Sequence, residues 1–178
     1  YWSGETAPAG RHSTVRLLWS DDALHVRFDA AQAEPFVISD SPDRTAKTPG
    51  LWDRDVCEIF IAPNSGEPRK YYEFEVAPTG EWVDLFVDNS GPERKTDTDY
   101  SSGMMTAAGV FPGKVVMAMR IDFSALGGPP EAGERWLGNL YRCVGRDPGR
   151  GYLAYNPTET PEPNFHVPEK FVEFEFKS

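Results

Sequence analysis

Leu51-Trp52-Asp53-Arg54-Asp55-Val56-Cys57-Glu58-Ile59-Phe60-Ile61 is the stretch that decides the fold class of this chain. A bulky aromatic residue stands near its start, acidic and basic residues follow, and an alternating run begins at Val56. Side chains of a strand point to opposite faces with a period of two. Cys57, Ile59 and Ile61 therefore make one apolar face, while Val56, Glu58 and Phe60 make the other, with a carboxylate among apolar neighbours. Such a carboxylate calls for a partner or a ligand, because burying it alone is expensive. Trp52 begins the strand, where an indole can stack and also donate a hydrogen bond.

The same period recurs on both sides of this stretch. Val15–Trp19 alternates, and Leu24, Val26, Phe28 and Ala30 share a face opposite His25, Arg27 and Asp29. Ser20-Asp21-Asp22 joins the two as a hairpin turn. Tyr71–Ala77 and Glu81–Val87 form a second hairpin around Pro78-Thr79-Gly80. Met104–Ala108, Val115–Ile121, Trp136–Val144 and Val172–Phe176 complete the set, with one helical turn at 122–126 and a short strand at Phe36–Ile38. Residues 31–50 and 89–101 read as long polar loops, and loops of that length are usually functional or mobile. Residues 1–12 read as an edge strand or a tail. No long stretch has helical periodicity. About nine or ten strands at hairpin spacing predict an antiparallel β-sandwich of jelly-roll or Greek-key type, a single domain over 1–178.

The net charge of −10 argues against nucleic acid, whose binders usually show a basic stripe, and suits neutral ligands such as sugars or divalent cations. No apolar run reaches the length of a membrane-spanning helix. Cys57 and Cys143 both lie in strand-like runs and read as buried free thiols; a disulfide stays open if their strands are neighbours.

Trp52-x-x-Asp55-x-x-Glu58-Ile59-Phe60, Tyr71-Tyr72-Glu73-Phe74-Glu75-Val76-Ala77-Pro78 and Phe165-His166-Val167-Pro168-Glu169-Lys170-Phe171 together resemble the family 9 carbohydrate-binding modules. They are closer still to the family-9-like, or DOMON-like, domains. The resemblance runs from about Thr14 to the C-terminus. It implies a non-catalytic module that binds a saccharide or polysaccharide, outside the cell or in the periplasm, as part of a larger multidomain or surface protein. It also implies that Trp52 and Phe165 clamp a sugar ring and that Glu58 holds its hydroxyls. Phe165 stands where the family has tryptophan, and Glu75 where a well-known sugar-binding member has arginine. Arg142 is then a candidate cation for the same face, beside Glu58 or Glu75, and His166 a candidate hydroxyl partner. The expected cleft has Trp52 at its edge, Phe165 across from it and Glu58 at the floor.

No cofactor is required for such binding. Relatives of this fold hold structural calcium, and Asp21-Asp22, Asp40/Asp43 and Asp97/Asp99 are loop acids of the hard-oxygen type calcium prefers. Three rival functions keep their own markers. A haem-binding domain needs axial ligands such as methionine paired with histidine, and Met104, Met105, Met117 and Met119 are present. A glycosidase needs two carboxyls across one bond, drawn here from Glu58, Glu73 and Glu75. An interaction domain in a surface assembly needs neither.

Overall fold

The computed structural model describes residues 1–177, all but the last residue of the expected 1–178 domain. Its eleven strands form two antiparallel sheets. The smaller sheet runs β1 (Ser13–Trp19), β2 (Ala23–Ala31), β8 (Lys114–Asp122), β7 (Met105–Phe111) from edge to edge. The larger runs β10 (Gly151–Ala154), β9 (Arg135–Val144), β3 (Val56–Ala62), β4 (Lys70–Val76), β5 (Trp82–Asp88), β6 (Lys95–Asp97). The last strand, β11 (Val172–Glu175), pairs with the first part of β9, so β10 and β11 divide that edge between them. The sandwich expected from the alternation is the observed fold.

Parity sets the layers. Leu24, Val26, Phe28 and Ala30 of β2 and Val115, Met117, Met119 and Ile121 of β8 face inward. They meet Cys57, Ile59 and Ile61 of β3 and Phe74 and Val76 of β4. Every residue of β3 is buried, which alternation alone does not require. The cause is a second apolar cluster on the outer face of the larger sheet. There Val56, Phe60, Tyr71, Val83, Leu85, Val87 and Tyr141 are covered by Leu51, Phe165 and Phe171. The C-terminal passage over this face makes the larger sheet the middle layer of three. Fully burying an aliphatic or aromatic side chain contributes about 1.5–3 kcal/mol, so this outer layer is a sizeable part of the stability.

Three local expectations are corrected. Phe36–Ile38 is not a strand; Val37 instead exchanges hydrogen bonds with Asp55, its carbonyl accepting from Asp55 N at 2.8 Å and its amide donating to Asp55 Oδ2 at 3.2 Å. The first dozen residues are neither edge strand nor loose tail. They hold a 3₁₀ turn (Ala9–Arg11), and Trp2 ties them to β10 and to the C-terminal passage through bonds with Tyr152, Glu159 and Thr160. The loop 89–101 contains the short strand β6. Lys47 pins both long loops to the sheet: it pairs with the buried Asp84 at 2.7 Å and donates to the carbonyls of Thr98 and Tyr100.

Candidate functional site

Trp52 lies in a 3₁₀ turn, Leu51–Asp53, just before β3 rather than in the strand itself. Gly50 opens the turn with φ of +80°, a conformation costly for any residue with a Cβ. Leu51 plugs into the outer apolar cluster, which turns Trp52 outward, 42% exposed. Asp55 then anchors the start of β3. It is buried, and its Oδ1 accepts from Gly145 N at 2.7 Å while Oδ2 accepts from Gln32 Nε2 at 3.1 Å and Val37 N at 3.2 Å.

Gly145 begins the β9–β10 turn with φ of +82°, and an added Cβ would lie 2.4 Å from Glu34 Oε2, itself fixed by Arg11. The turn returns Arg150 towards Trp52. Arg150 donates to the carbonyls of Trp52 at 2.6 Å, Arg54 at 2.8 Å and Gly145 at 3.0 Å, and its guanidinium lies 5.4 Å from the centre of the Tyr152 ring. Asp53, Arg146, Asp147, Arg150 and Tyr152, with Val37 and Gly145, line a hollow of about 460 Å³ at the end of the 3₁₀ turn that carries Trp52. Sequence reading missed this group. The signal was available in Arg146-Asp147-Pro148-Gly149-Arg150, a charged Pro-Gly turn that follows the strand paired with β3.

Glu58, Glu73 and Glu75 lie deeper, on the outer face of the larger sheet. Glu58 pairs directly with Glu75 across β3 and β4, and Glu73 is two residues along. One oxygen of each lies within 4.8 Å of the others, and the three residues are 0–4% exposed. Among the described residues this is the one His/Cys/Asp/Glu group close enough to hold a metal ion, and it stands on strands rather than loops. Burial, then the charge of Glu73, pushes the Glu58 carboxyl up to about 8. Burial pushes Glu73 up as well, and burial with the charges of Glu58 and Glu73 holds Glu75 well above the carboxylate range. The Cys143 thiol donates to Glu58 Oε1 at 3.5 Å.

Two of the expected site residues have other duties. Arg142 pairs with Cys57 in the β3–β9 register, so its side chain points to the opposite side of the sheet from Glu58. There it donates to the carbonyls of Arg11 and Ala31, both at 2.8 Å, and to Gln32 Oε1 at 2.5 Å, tying the two sheet edges together. It does not neutralise Glu58 or Glu75. Phe165 is on the expected face but is 9% exposed, its ring stacked on Tyr141 with centroids 4.2 Å apart and planes 10° apart. It is a packed layer, not an open platform opposite Trp52.

His166 accompanies Phe165 on that face. Its Nδ1 shares a 2.8 Å hydrogen bond with Tyr71 Oη, and its ring lies over Phe60. Burial drives its pKa down to about 3, so it is neutral. The free thiols also separate: Cys57 faces the inter-sheet core and Cys143 the outer cluster, which rules out a bond between them.

The markers of the rival functions are placed elsewhere. Met117 and Met119 are core residues, and His25, paired with Arg120 while Val26 pairs with Met119, faces away from them. The three glutamates from which a glycosidase would draw its carboxyl pair are sealed from solvent. Asp22, Asp43 and Asp97 accept hydrogen bonds from Ser20, Thr45 and Asp99, capping their own turns.

The profile of a family described as carbohydrate family 9 binding domain-like matches residues 1–147. Among curated proteins there is no match. Three solved structures share the fold. One is a candidate carbohydrate-binding protein of Bacteroides uniformis ATCC 8492, with 17% identity, a TM-score of 0.75, and 94% of this chain and 79% of that one covered. The second is a family 9 carbohydrate-binding module of Caldicellulosiruptor kristjanssonii in complex with cellotriose, with 17% identity, a TM-score of 0.68, and coverage of 97% and 78%. The third is a family 9 module from the same organism in complex with glucose, with 18% identity, a TM-score of 0.66, and coverage of 97% and 80%.

Proposed function

The chain belongs to the carbohydrate family 9 binding domain-like family, and on that premise we propose that it is a non-catalytic module that recognises a saccharide at the rim formed by Trp52 and the β9–β10 turn. The observation that carries this placement is Trp52 itself. It is a large aromatic residue, 42% exposed, and the next residue, Asp53, lines a hollow of about 460 Å³ together with Asp147, Arg146 and Arg150. That volume falls in the range of about 300–1,000 Å³ typical of small-molecule sites. Sugar rings present C–H faces that pack on an indole, and their hydroxyls exchange hydrogen bonds with carboxylates and guanidinium groups. Asp53, Asp147 and Arg146 supply those partners, Arg150 holds the turn through backbone carbonyls, and Tyr152 supplies a second aromatic surface.

Phe165 and His166 act from beneath, fixing the outer face of the sheet on which the rim is built, with Glu58 and Glu75 buried under them. The cellotriose and glucose bound by the structural neighbours point to glucose and short β-glucans as the first ligands to try. No nucleophile or proton shuttle is needed, and the bound sugar is released unchanged. The reading extends to an extracellular or periplasmic location, where polysaccharides are met, and to service within a larger surface or multidomain protein.

Calorimetric titration of glucose, cellobiose and cellotriose into wild type and Trp52→Ala tests the placement. Removal of a central aromatic anchor weakens binding by about 1–3 kcal/mol, or roughly five- to 150-fold. The titrated sugars should be recovered intact. Equal affinity in the two proteins would move the site away from Trp52.

A further inference from the structure

We propose that β7 is a docking edge for a second copy of this chain, which adds its own β7 antiparallel across a two-fold axis at Ala108 and joins the two smaller sheets into one. This goes beyond the saccharide reading and does not rest on it. An unprotected sheet edge is a template for another strand, and proteins blunt it with charge, proline, a short strand or a cover. The other edges have these guards. β6 is three residues with Lys95 and Asp97, and β11 four residues with Glu173 and Glu175. Trp2 covers β10, its N–H donating to Tyr152 O at 2.9 Å. β1 carries Arg16, and its Trp19 indole donates to Lys177 O at 2.9 Å. β7 reads Met105-Thr106-Ala107-Ala108-Gly109-Val110-Phe111, seven residues without a charge or a proline. Three of them stand open: Met105 is 64%, Val110 57% and Phe111 51% exposed.

The backbone fixes the register. Phe111 and Lys114 flank the two-residue turn Pro112-Gly113 and so exchange hydrogen bonds. Alternation from that pair turns the N–H and C=O groups of Thr106, Ala108 and Val110 away from β8, and among the described residues nothing bonds to them. A second β7 centred on Ala108 sets Thr106 opposite Val110 and Ala108 opposite itself, so each outward donor meets an outward acceptor. Met105 then lies opposite the second copy's Phe111, a favourable pair of sulfur and aromatic ring. Leu18, His25, Ala107, Ala118 and Arg120 leave a hollow of about 450 Å³ at Met105, and the second copy's Phe111 ring fills its mouth. The charges permit a like partner. Lys114 is 3.8 Å from Asp29 and Arg120 2.7 Å from Asp22, so the flanking strand is neutralised within each chain. Across the joined sheet, Arg120 and the second copy's Lys114 are three strand spacings, about 14 Å, apart, beyond the screening length of about 8–10 Å. The edge is therefore free of the repulsion that a net charge of −10 otherwise sets between two copies. A two-fold contact closes on itself, and the guarded β1 edge leaves a dimer rather than a filament.

Sedimentation equilibrium of the whole chain over a range of concentrations tests this. Wild type should approach twice the 19.9 kDa chain mass as concentration rises. Ala108→Pro removes an N–H that the sheet of one chain does not use, and Val110→Lys adds the guard that the edge lacks. Both should keep the single-chain mass at every concentration at which wild type is paired, and Val110→Lys carries the test if Ala108→Pro does not fold. Thr14→Lys, on β1, should dimerise as wild type does. Amide exchange at Thr106, Ala108 and Val110 should slow in wild type as concentration rises. A single-chain mass for wild type up to millimolar concentration would overturn the proposal. So would a double mass retained in the folded β7 variants, or one lost in Thr14→Lys, which would place the contact at β1 instead.

Discussion

Asp55→Ala is expected to lower the stability of the domain by about 3–5 kcal/mol, on the scale of about 1–3 kcal/mol for each buried donor left without an acceptor. Gly145 N–H and Val37 N–H lose theirs, and the Gln32 amide loses one of its two acceptors, keeping the Glu34 carbonyl. For a domain of this length, about 2–4 °C of melting temperature accompanies each kcal/mol, so the midpoint should fall by roughly 10 °C. The loss should reach the site as well. Gly145 starts the turn that carries Arg146, Asp147 and Arg150, so saccharide affinity should drop together with stability. Asp55→Asn should be intermediate, since its amide presents a donor to donors. Thermal and chemical denaturation measure the effect, and a change under 1 kcal/mol would mean that Asp55 does not hold the turn.

In chelating buffer, the glutamate cluster should make the domain less stable as pH rises from about 4.5 to about 8, the range over which the Glu58 carboxyl is displaced. The sign follows from proton counting. The folded pKa is raised above the unfolded value, so between the two values the folded chain holds protons that the unfolded chain has released. The stabilisation is complete below the unfolded value and is lost as pH passes the folded one. At about 1.4 kcal/mol per pKa unit, the change across the window is on the order of 3–5 kcal/mol. Glu75→Gln removes one ionisable group, and its amide can donate to Glu73 Oε2, which has no donor of its own. The variant should therefore match wild type near pH 4.5 and exceed it near pH 9. Urea denaturation across that range is the measurement, and parallel curves for the two proteins would contradict it.

Much of this architecture was legible because a strand's parity is fixed once one residue is placed. The alternation at Val56–Ile61 put Glu58 on the face shared with Phe60, and the structure keeps it there. The hairpins around Ser20-Asp21-Asp22 and Pro78-Thr79-Gly80 carried enough turn chemistry to place their strands. Arg142 was not legible. Both parities of β9 are largely apolar, and only the pairing of Cys57 with Arg142 decides which one faces Glu58; a shift of one residue exchanges the faces. Phe165 lies in a proline-rich passage with no period, so its stacking on Tyr141 is a contact that local pattern cannot supply. Arg150 escaped notice for the same reason. Its partners are backbone carbonyls about a hundred residues away, and carbonyls leave no mark in a sequence.

The outer face of the larger sheet was expected to be open, and its closure changes what the glutamates can do. A C-terminal passage that buries Phe165 and Pro168 turns a floor into an inner layer. The accessible chemistry then moves outward to Trp52 and the β9–β10 turn.

Residue-resolved chemical shifts of the labelled domain titrated with cellotriose test that location most directly. The largest changes should fall on the Trp52 indole, on Asp53 and on Arg146 through Tyr152, with smaller ones at Phe165 and His166 beneath. Changes confined to the exposed face of the smaller sheet, around Leu18, Met105 and Phe111, would contradict saccharide recognition at this rim.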